Sequence, residues 1–453
     1  MHPFLFLFCP AQRIKLDIPI FLNGVQLYQQ DSLYPYLYEN GESPRIDRVL
    51  SNYPLASSKY FENKEGICKL RQFSSIYIAE ELTHYFSSFA KISKSTTTLS
   101  PLVFVLQNND HAITIGYDPC KGEWSFTNAS CLPSGYTCDP EELAKEVHKA
   151  FSDNDVAIFS TEIFAEKQVE KEWEETVSTW EKDEKLIEIR KVTPEKTQRT
   201  DSKNQALLSL AAAQGDLELV EQVIEAEKII PKEQRLRHVR CPALCMAVQN
   251  KNYNVVKRLL ENGEDTNQTR QDDNVSPLLI AASQGDTSTI SLLLENGSNP
   301  NAGTKDDFTS LHFSVLKDDL KMAKLILEKG GSCNNTAYNG ITPLFLAAQN
   351  NKTEMVSLLL ENEANIDLPM YSNSKLLLRF AKNNNIYAQM EELINKKLNR
   401  SETQLPLNVL ISLSNKQISK PYISITTREI ATILGHNEIL ALLDNNLKQI
   451  FIS

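Results

Sequence analysis

"TPLFLAAQNNKTEMVSLLLENEANID", residues 342–367, reads as two short helices joined by a turn. Thr342 is placed to cap the first helix and Pro343 to occupy its first position. Ala347 and Ala348 are small, as they must be where neighbouring helices approach closely. Leu358, Leu359 and Leu360 fill the second helix. The same pattern recurs at "SPLLIAASQGDTSTISLLLENGSNPN" from Ser276 and "TSLHFSVLKDDLKMAKLILEKGGSCN" from Thr309, so that Pro277, Ser310 and Pro343 are spaced by 33. Ala281 and Ala282 stand where Ala347 and Ala348 do, and Leu292, Leu293 and Leu294 where the later leucines do. A fixed period of this length describes units that bury their apolar faces only by stacking on one another. Gly297 and Gly330 are placed to end the second helix with a left-handed residue. Glu363 stands at that position in the next unit, so its turn is expected to be strained or reshaped.

The period and the motif resemble the ankyrin repeat. Two less regular units precede the three: "QALLSLAAAQGDLELVEQVIEA" from Gln205 and "PALCMAVQNKNYNVVKRLLENGEDTN" from Pro242. A degenerate helical unit follows around Leu376 to Ile394, and "TTREIATILGHNEILALLDNN" from Thr426 fits the helix pair again. An all-α ankyrin-repeat solenoid is thus expected over 204–395, an irregular insertion over 396–425 and an ankyrin-like capping unit over 426–453. The resemblance implies a protein partner, held by the concave face and the hairpin tips. The tips would present Gln271, Asp272, Asp273, Lys305, Asp306, Asp307, Tyr338 and Asn339. The concave face would present Gln284, Lys317, Asp318, Gln349 and Asn350. Most such positions are simply solvated, and fewer than about a third carry binding energy. His312 sits at the common ankyrin histidine position, where it is expected to make a capping hydrogen bond.

The chain has 453 residues, enough for two or three cores. Its net charge of −11 argues against nonspecific binding to nucleic acid or to an anionic membrane. A local basic patch stays compatible with that sum. No apolar run is long enough to span a bilayer, and "MHPFLFLFCP" lacks the basic residues and cleavage site of a signal peptide. Eight cysteines without a CxxC pair suggest free thiols in a reducing compartment. Cys241 and Cys245, four apart on a repeat helix, read as small buried thiols. Cys120, Cys131 and Cys138 with His111 or His148 could be drawn as a zinc site, but their spacing matches no standard one. No metal or cofactor is implied.

Residues 166–203 are rich in Glu and Lys. Val169, Trp173, Val177 and Trp180 form one helical stripe, read as a helix that docks the two halves together; "VTPEKTQRTDSKN" after it reads as loop. Residues 1–165 do not repeat. "PLVFVLQ", "HAITIGYD", "EWSFTN" and "DVAIFSTEIF" read as strands, and "PEELAKEVHKAF" as a helix. "CKLRQFSSIYIAEELTHYFSSFAK" reads as one long helix that places Cys68 at its N-terminus, where the dipole and free N–H groups favour a thiolate. His111 could then act as base, and Asn128, at the end of the partner strand, could orient it. Asn63 and the Cys68 N–H are the oxyanion candidates. His84 and His148 are weaker candidates, and Trp124 is expected to pack beneath the site.

The order Cys, His, Asn, with the Cys on a helix and the others on strands, resembles the papain-like fold. "GIC" before a helix and the "HAI…WSFTN" hairpin resemble the YopT-like, cysteine-protease-like domains of secreted bacterial effectors. Coupled to the repeats, the chain resembles the Legionella-type ankyrin effectors. The fold class implied is an α+β papain-like domain followed by the ankyrin solenoid. The function implied is a thiol hydrolase or acyltransferase, delivered by type IV secretion into the host cytosol or nucleus and aimed at a host protein that the repeats recruit. The apolar tip "LKQIFIS" is compatible with a secretion signal. Departures are visible: Lys69-Leu70-Arg71-Gln72 replaces the small residues usual after the cysteine, and Asn128 stands where Asp is commoner. Two other readings carry no chemistry: a pseudoenzyme that serves as an interaction scaffold, or an ankyrin adaptor without enzyme ancestry. A monomer is expected.

Overall fold

A computed structural model of the chain describes residues 6–9, 12–15, 67–94, 100–108, 111–128, 131–137, 139–152, 154–231, 234–236, 239–399 and 422–450. Contacts divide it into two units, Met1–Val255 and Val256–Ser453.

In the first unit, β1 (Phe6–Cys9) and β2 (Gln12–Lys15) form an antiparallel ribbon. Six further strands build the main sheet: β3 (Ile67–Tyr77), β4 (Leu102–Gln107), β5 (Ala112–Asp118), β6 (Glu123–Asn128), β7 (Cys131–Thr137) and β8 (Ala157–Glu166). Their order is β3-β8-β4-β5-β6-β7, antiparallel throughout. Helices α1 (Ala79–Ser93) and α2 (Pro140–Phe151) make the two crossovers. The expected long helix from Cys68 is therefore a strand and then a helix, divided at Ile78. Ile78 takes an extended backbone, and its N–H donates to the Glu81 carboxylate at 2.9 Å, which fixes the start of α1.

One face of the sheet carries the aromatic core. Phe104 of β4, Tyr117 of β5, Trp124 of β6 and Phe159 of β8 meet Tyr85, Phe86 and Phe89 of α1 there. Helix α3 (Glu170–Glu181) closes that core with Trp173, Val177 and Trp180, all fully buried. The Trp180 N–H donates to Ser88 Oγ at 3.0 Å, and the Trp173 N–H to the Ser100 carbonyl at 3.2 Å. Arg71 of β3 binds Glu181 (2.8 Å), Glu174 (2.9 Å) and Ser178 (2.9 Å), and so ties the edge strand to the same helix. The tryptophan stripe thus completes the core of the first domain itself. Helix α4 (Glu184–Arg190) follows, capped by Asp183 and held against α1 by His84, 2.8 Å from that carboxylate.

The second face of the sheet is covered over β3 and β8. It presents Gln72, Ser74 and Ile76 of β3 opposite Glu162, Ser160 and Ile158 of β8. After the short turn α5 (Pro194–Thr197), helix α6 (Leu207–Gln214) packs against these two strands, and Gln72 donates to Gln214 at 3.1 Å. Helix α7 (Leu217–Glu227) and helix α8 (Ala243–Gln249) complete the unit. Asn252 donates to the Ala212 and Ala213 carbonyls at 2.8 and 3.0 Å, fastening the second repeat to the first. Helix α9 (Tyr253–Glu261) crosses the boundary.

In the second unit the first helices of successive repeats form one layer: α10 (Pro277–Gln284), α12 (Ser310–Lys317) and α14 (Pro343–Gln349). The second helices form the other: α11 (Thr287–Glu295), α13 (Leu320–Glu328) and α15 (Thr353–Glu361). Asparagines knit the loops together. Asn267, Asn301 and Asn334 each donate to a carbonyl one repeat on, at Gly297 (3.2 Å), Gly330 (2.9 Å) and Glu363 (3.1 Å). Each also accepts a backbone N–H there, from Asn299 (2.8 Å), Ser332 (2.7 Å) and Asn365 (2.7 Å). These three loops therefore borrow hydrogen bonds from the preceding repeat.

The repeat after α15 is interrupted in its hairpin. Asn301 and Thr309, like Asn334 and Thr342, are eight positions apart, whereas Asp367 and Thr426 are 59 positions apart. β9 (Met370–Asn373) and β10 (Tyr422–Ile425) pair antiparallel as the two arms of this enlarged hairpin. Helices α16 (Ser374–Asn383) and α17 (Tyr387–Asn399) lie between the arms in the chain. Leu377, Ala381, Met390 and Ile394 bury themselves with Ile423, Ile425, Phe345 and Ile430. Helices α18 (Thr427–Leu434) and α19 (Asn437–Ile450) then stack directly on α14 and α15. His436 contacts the Ala348 carbonyl at 2.8 Å, the same link that Asn252 makes to Ala212. The insertion expected at 396–425 thus begins at β9, and the helical stretch 376–394 belongs to it.

Candidate functional site

The structure places Cys68 on β3, paired with Ala165. Its thiol donates to the Ala165 carbonyl at 3.5 Å. Burial, and then the Glu170 carboxylate, push its pKa above the ordinary thiol value. That is the opposite of what a helix N-terminus would do, so the residue favours the inert thiol. The register also separates it from His111. Cys68 lies one residue beyond the level of the Val103–Phe164 pair, whereas His111 lies one residue before the Ala112–Gln107 pair. Six positions along the strands and three strands across amount to more than about 20 Å. The pairing of Cys68 with His111 is therefore not formed, and the reason is the strand that replaces the expected helix.

The hairpin does bring His111 and Asn128 near each other in register. Ile113 pairs with Asn128, two positions from His111. The His111 N–H donates to Asn108 Oδ1 at 2.9 Å, and its ring packs edge-on against Phe151 of α2, 5.7 Å between centroids. The histidine is a strand-end residue folded into the turn and the core edge. Asn63 lies outside the described residues. Cys138, drawn into the zinc alternative, lies outside them too, and among the described residues no group of three or more His, Cys, Asp or Glu could hold a metal. Trp124 packs in the aromatic core against Phe86, Phe89 and Tyr117.

The repeat face offers a different geometry. In each unit the first helix ends nine residues after its cap in a left-handed residue: Gly285, Asp318, Asn351 and Gly435 have φ of 74, 57, 55 and 73°. This turn sets the residues before it at the rim of the first-helix layer. Lys317, Asp318 and Asn350 are exposed there, and Gln284 and Gln349 half-exposed. Lys352 reaches across one repeat to Asp318 at 2.8 Å. Of the tips, Gln271, Asp272, Lys305, Asp306 and Asp307 are exposed and Asp273 half-exposed. Arg270 binds Asp273, and the Lys305 ammonium reaches the Asp272 carbonyl. The third tip departs from expectation. Asn339 is buried, and the arm of the enlarged hairpin passes close to its neighbour: a side chain at Gly340 would come within 2.7 Å of the Pro369 carbonyl. Nothing in the period of 33 foretold that approach; the only signal was the excess length between Asp367 and Thr426.

His312 acts as the cap expected of it. Its Nδ1 lies 2.9 Å from Thr309 Oγ1 and its Nε2 is 3.1 Å from the Ile341 carbonyl, one repeat on. Three consecutive ankyrin repeats match residues 244–337, and a further single repeat matches residues 339–371. Ankyrin repeats are present. No curated protein matches the chain. The ankyrin matches cover α8 to α15 and stop where the enlarged hairpin begins.

Proposed function

We propose that this chain is a protein-binding adaptor whose ankyrin array holds a partner protein along the first-helix rim and the hairpin tips. The observation that carries this reading is the stack itself. Side-chain bonds link each repeat to the next, so the rim residues are presented at a constant pitch without ordering cost on binding. Tips bearing Asp272, Asp306 and Asp307 bring acidic character to one edge, and Lys317 and Asn350 bring donors to the rim. The sheet covers the first repeat, since α6 packs against β3 and β8. A scaffold needs no reactive thiol, in keeping with the raised pKa of Cys68.

The test is photo-crosslinking in cells with a benzophenone amino acid at Lys317 or Asn350, and at Lys324 on the second-helix layer as control. A discrete adduct from the rim that is missing from Lys324, and that persists in Cys68→Ala, is the expected result. Adducts of equal yield from both layers, or none from the rim, would sink the reading.

A further inference from the structure

The chain carries −11 overall, yet residues 374–421 hold eight Lys and Arg against three Glu. The hairpin insert is therefore a basic excursion of +5 on a chain whose remainder carries −16. Three of the cations share one helix. Lys375, Arg379 and Lys382 fall at i, i+4 and i+7 on α16, a single helical face. Arg379 and Lys382 are exposed, as is Lys396 on α17. Like charges at these spacings oppose helix formation, and no acidic residue of α16 stands three or four positions away to offset them. Elsewhere the chain does supply such partners: Lys145 with Glu141, Lys191 with Glu188 and Lys228 with Glu225. Lys397, the one lysine of α17 that turns inward, is matched by Glu429 at 2.9 Å. Among the described residues Arg379, Lys382 and Lys396 have no carboxylate partner.

The insert also sits where a partner would meet it. It is an enlargement of a hairpin tip, and tips are the part of an ankyrin array that reaches toward a bound protein. From these observations we infer that the α16 stripe is a docking site for a short acidic segment of a partner protein, with carboxylates at helical spacing set against Arg379 and Lys382. The inference rests on the adaptor reading and names the chemistry of the partner. A short acidic segment fits better than a long polyanion. At physiological salt, charges beyond about 8 Å are screened, so a segment of a turn or two feels the stripe alone. A nucleic acid or a charged bilayer would extend past it, along a chain whose remainder carries −16.

The probe is a fluorescein-labelled alanine-based helical peptide of ~15 residues with glutamates at i, i+4 and i+7, titrated into the full chain and read by anisotropy. Binding is expected to weaken as salt rises and to fall at least about tenfold in R379E/K382E, since two charge-assisted contacts are turned repulsive. The neutral pair R379Q/K382Q, with far-ultraviolet circular dichroism on both variants, separates loss of charge from loss of fold; a smaller drop in the neutral pair supports the inference. No binding, or equal binding by R379E/K382E, overturns it. So does tighter binding of a duplex DNA or of phosphatidylserine vesicles than of the peptide, or self-association of the chain that the reversal abolishes. Failure here with rim crosslinks intact leaves the adaptor reading standing; loss of the rim crosslinks removes that reading whatever the peptide does.

Discussion

His312 shows how a single side chain ties stability to pH in this molecule. It is fully buried, and burial lowers its pKa from the ordinary 6.5 to about 4. The imidazole is neutral in the fold: Nε2–H donates to the Ile341 carbonyl, and Nδ1 accepts from Thr309. The unfolded chain binds a proton at 6.5 and the folded chain does not until about 4. Stability contributed by this residue is therefore complete above pH 6.5 and lost as pH falls toward 4, by about 3 kcal/mol at most. Urea unfolding of wild type and His312→Leu over that range should show a steeper decline for wild type; equal slopes would mean that the imidazole is solvated. Glu363 gives a second residue-level prediction. It occupies the position of Gly263, Gly297 and Gly330 and takes the same left-handed backbone, φ 64° against 79, 88 and 90°. The turn is preserved and the residue is strained within it. Glu363→Gly should stabilise the chain by about 0.5–1 kcal/mol, and a thermal melt that does not rise would show that the Glu363 side chain compensates. At Cys68 we expect alkylation, followed by mass spectrometry, only above the ordinary thiol pKa, with no change in His111→Ala.

At the scale of elements, what the sequence made legible was set by period. Units of 33 residues left a signature in Pro277, Ser310 and Pro343 that no local ambiguity could hide. The segment 67–93 had no such guard. Phe73, Ile76 and Tyr77 fall at i, i+3 and i+4, which suits a helix, whereas Phe73, Ser75 and Tyr77 suit one face of a strand, and no Gly or Pro marks the switch at Ile78. Periodicity alone could not arbitrate, and the site built on a helical Cys68 fell with the assignment. The tryptophan stripe of α3 was read correctly as an apolar face, while its destination was not written locally: the residues it meets, Tyr85, Phe89 and Phe104, come from other elements. Trp180→Ala should cost about 3–5 kcal/mol and free the Ser88 hydroxyl of its donor. A loss below about 1 kcal/mol in urea unfolding would place α3 outside the cooperative core.

For the whole molecule, the boundary between sheet and repeats is the point the sequence marked least clearly. Residues 206–213, "ALLSLAAA", are apolar on every side, and Leu207, Leu210, Ala211 and Ala212 are almost wholly buried. A repeat helix at the free end of an array would show a polar outer face; one apolar all round must be covered on both sides. α6 is covered by the sheet on one side and by α8 on the other. The converse holds for the sheet, whose Ile76 and Ile158 are buried on the face that α6 covers. A fragment of residues 1–203 therefore leaves an apolar strip on β3 and β8 open to water, and exposed strips of this kind drive association. Size-exclusion chromatography should find the full chain soluble and the 1–203 fragment aggregated or insoluble. A soluble, cooperatively melting fragment of 1–203 would mean that the sheet is complete without the first repeat and that the array begins independently of it.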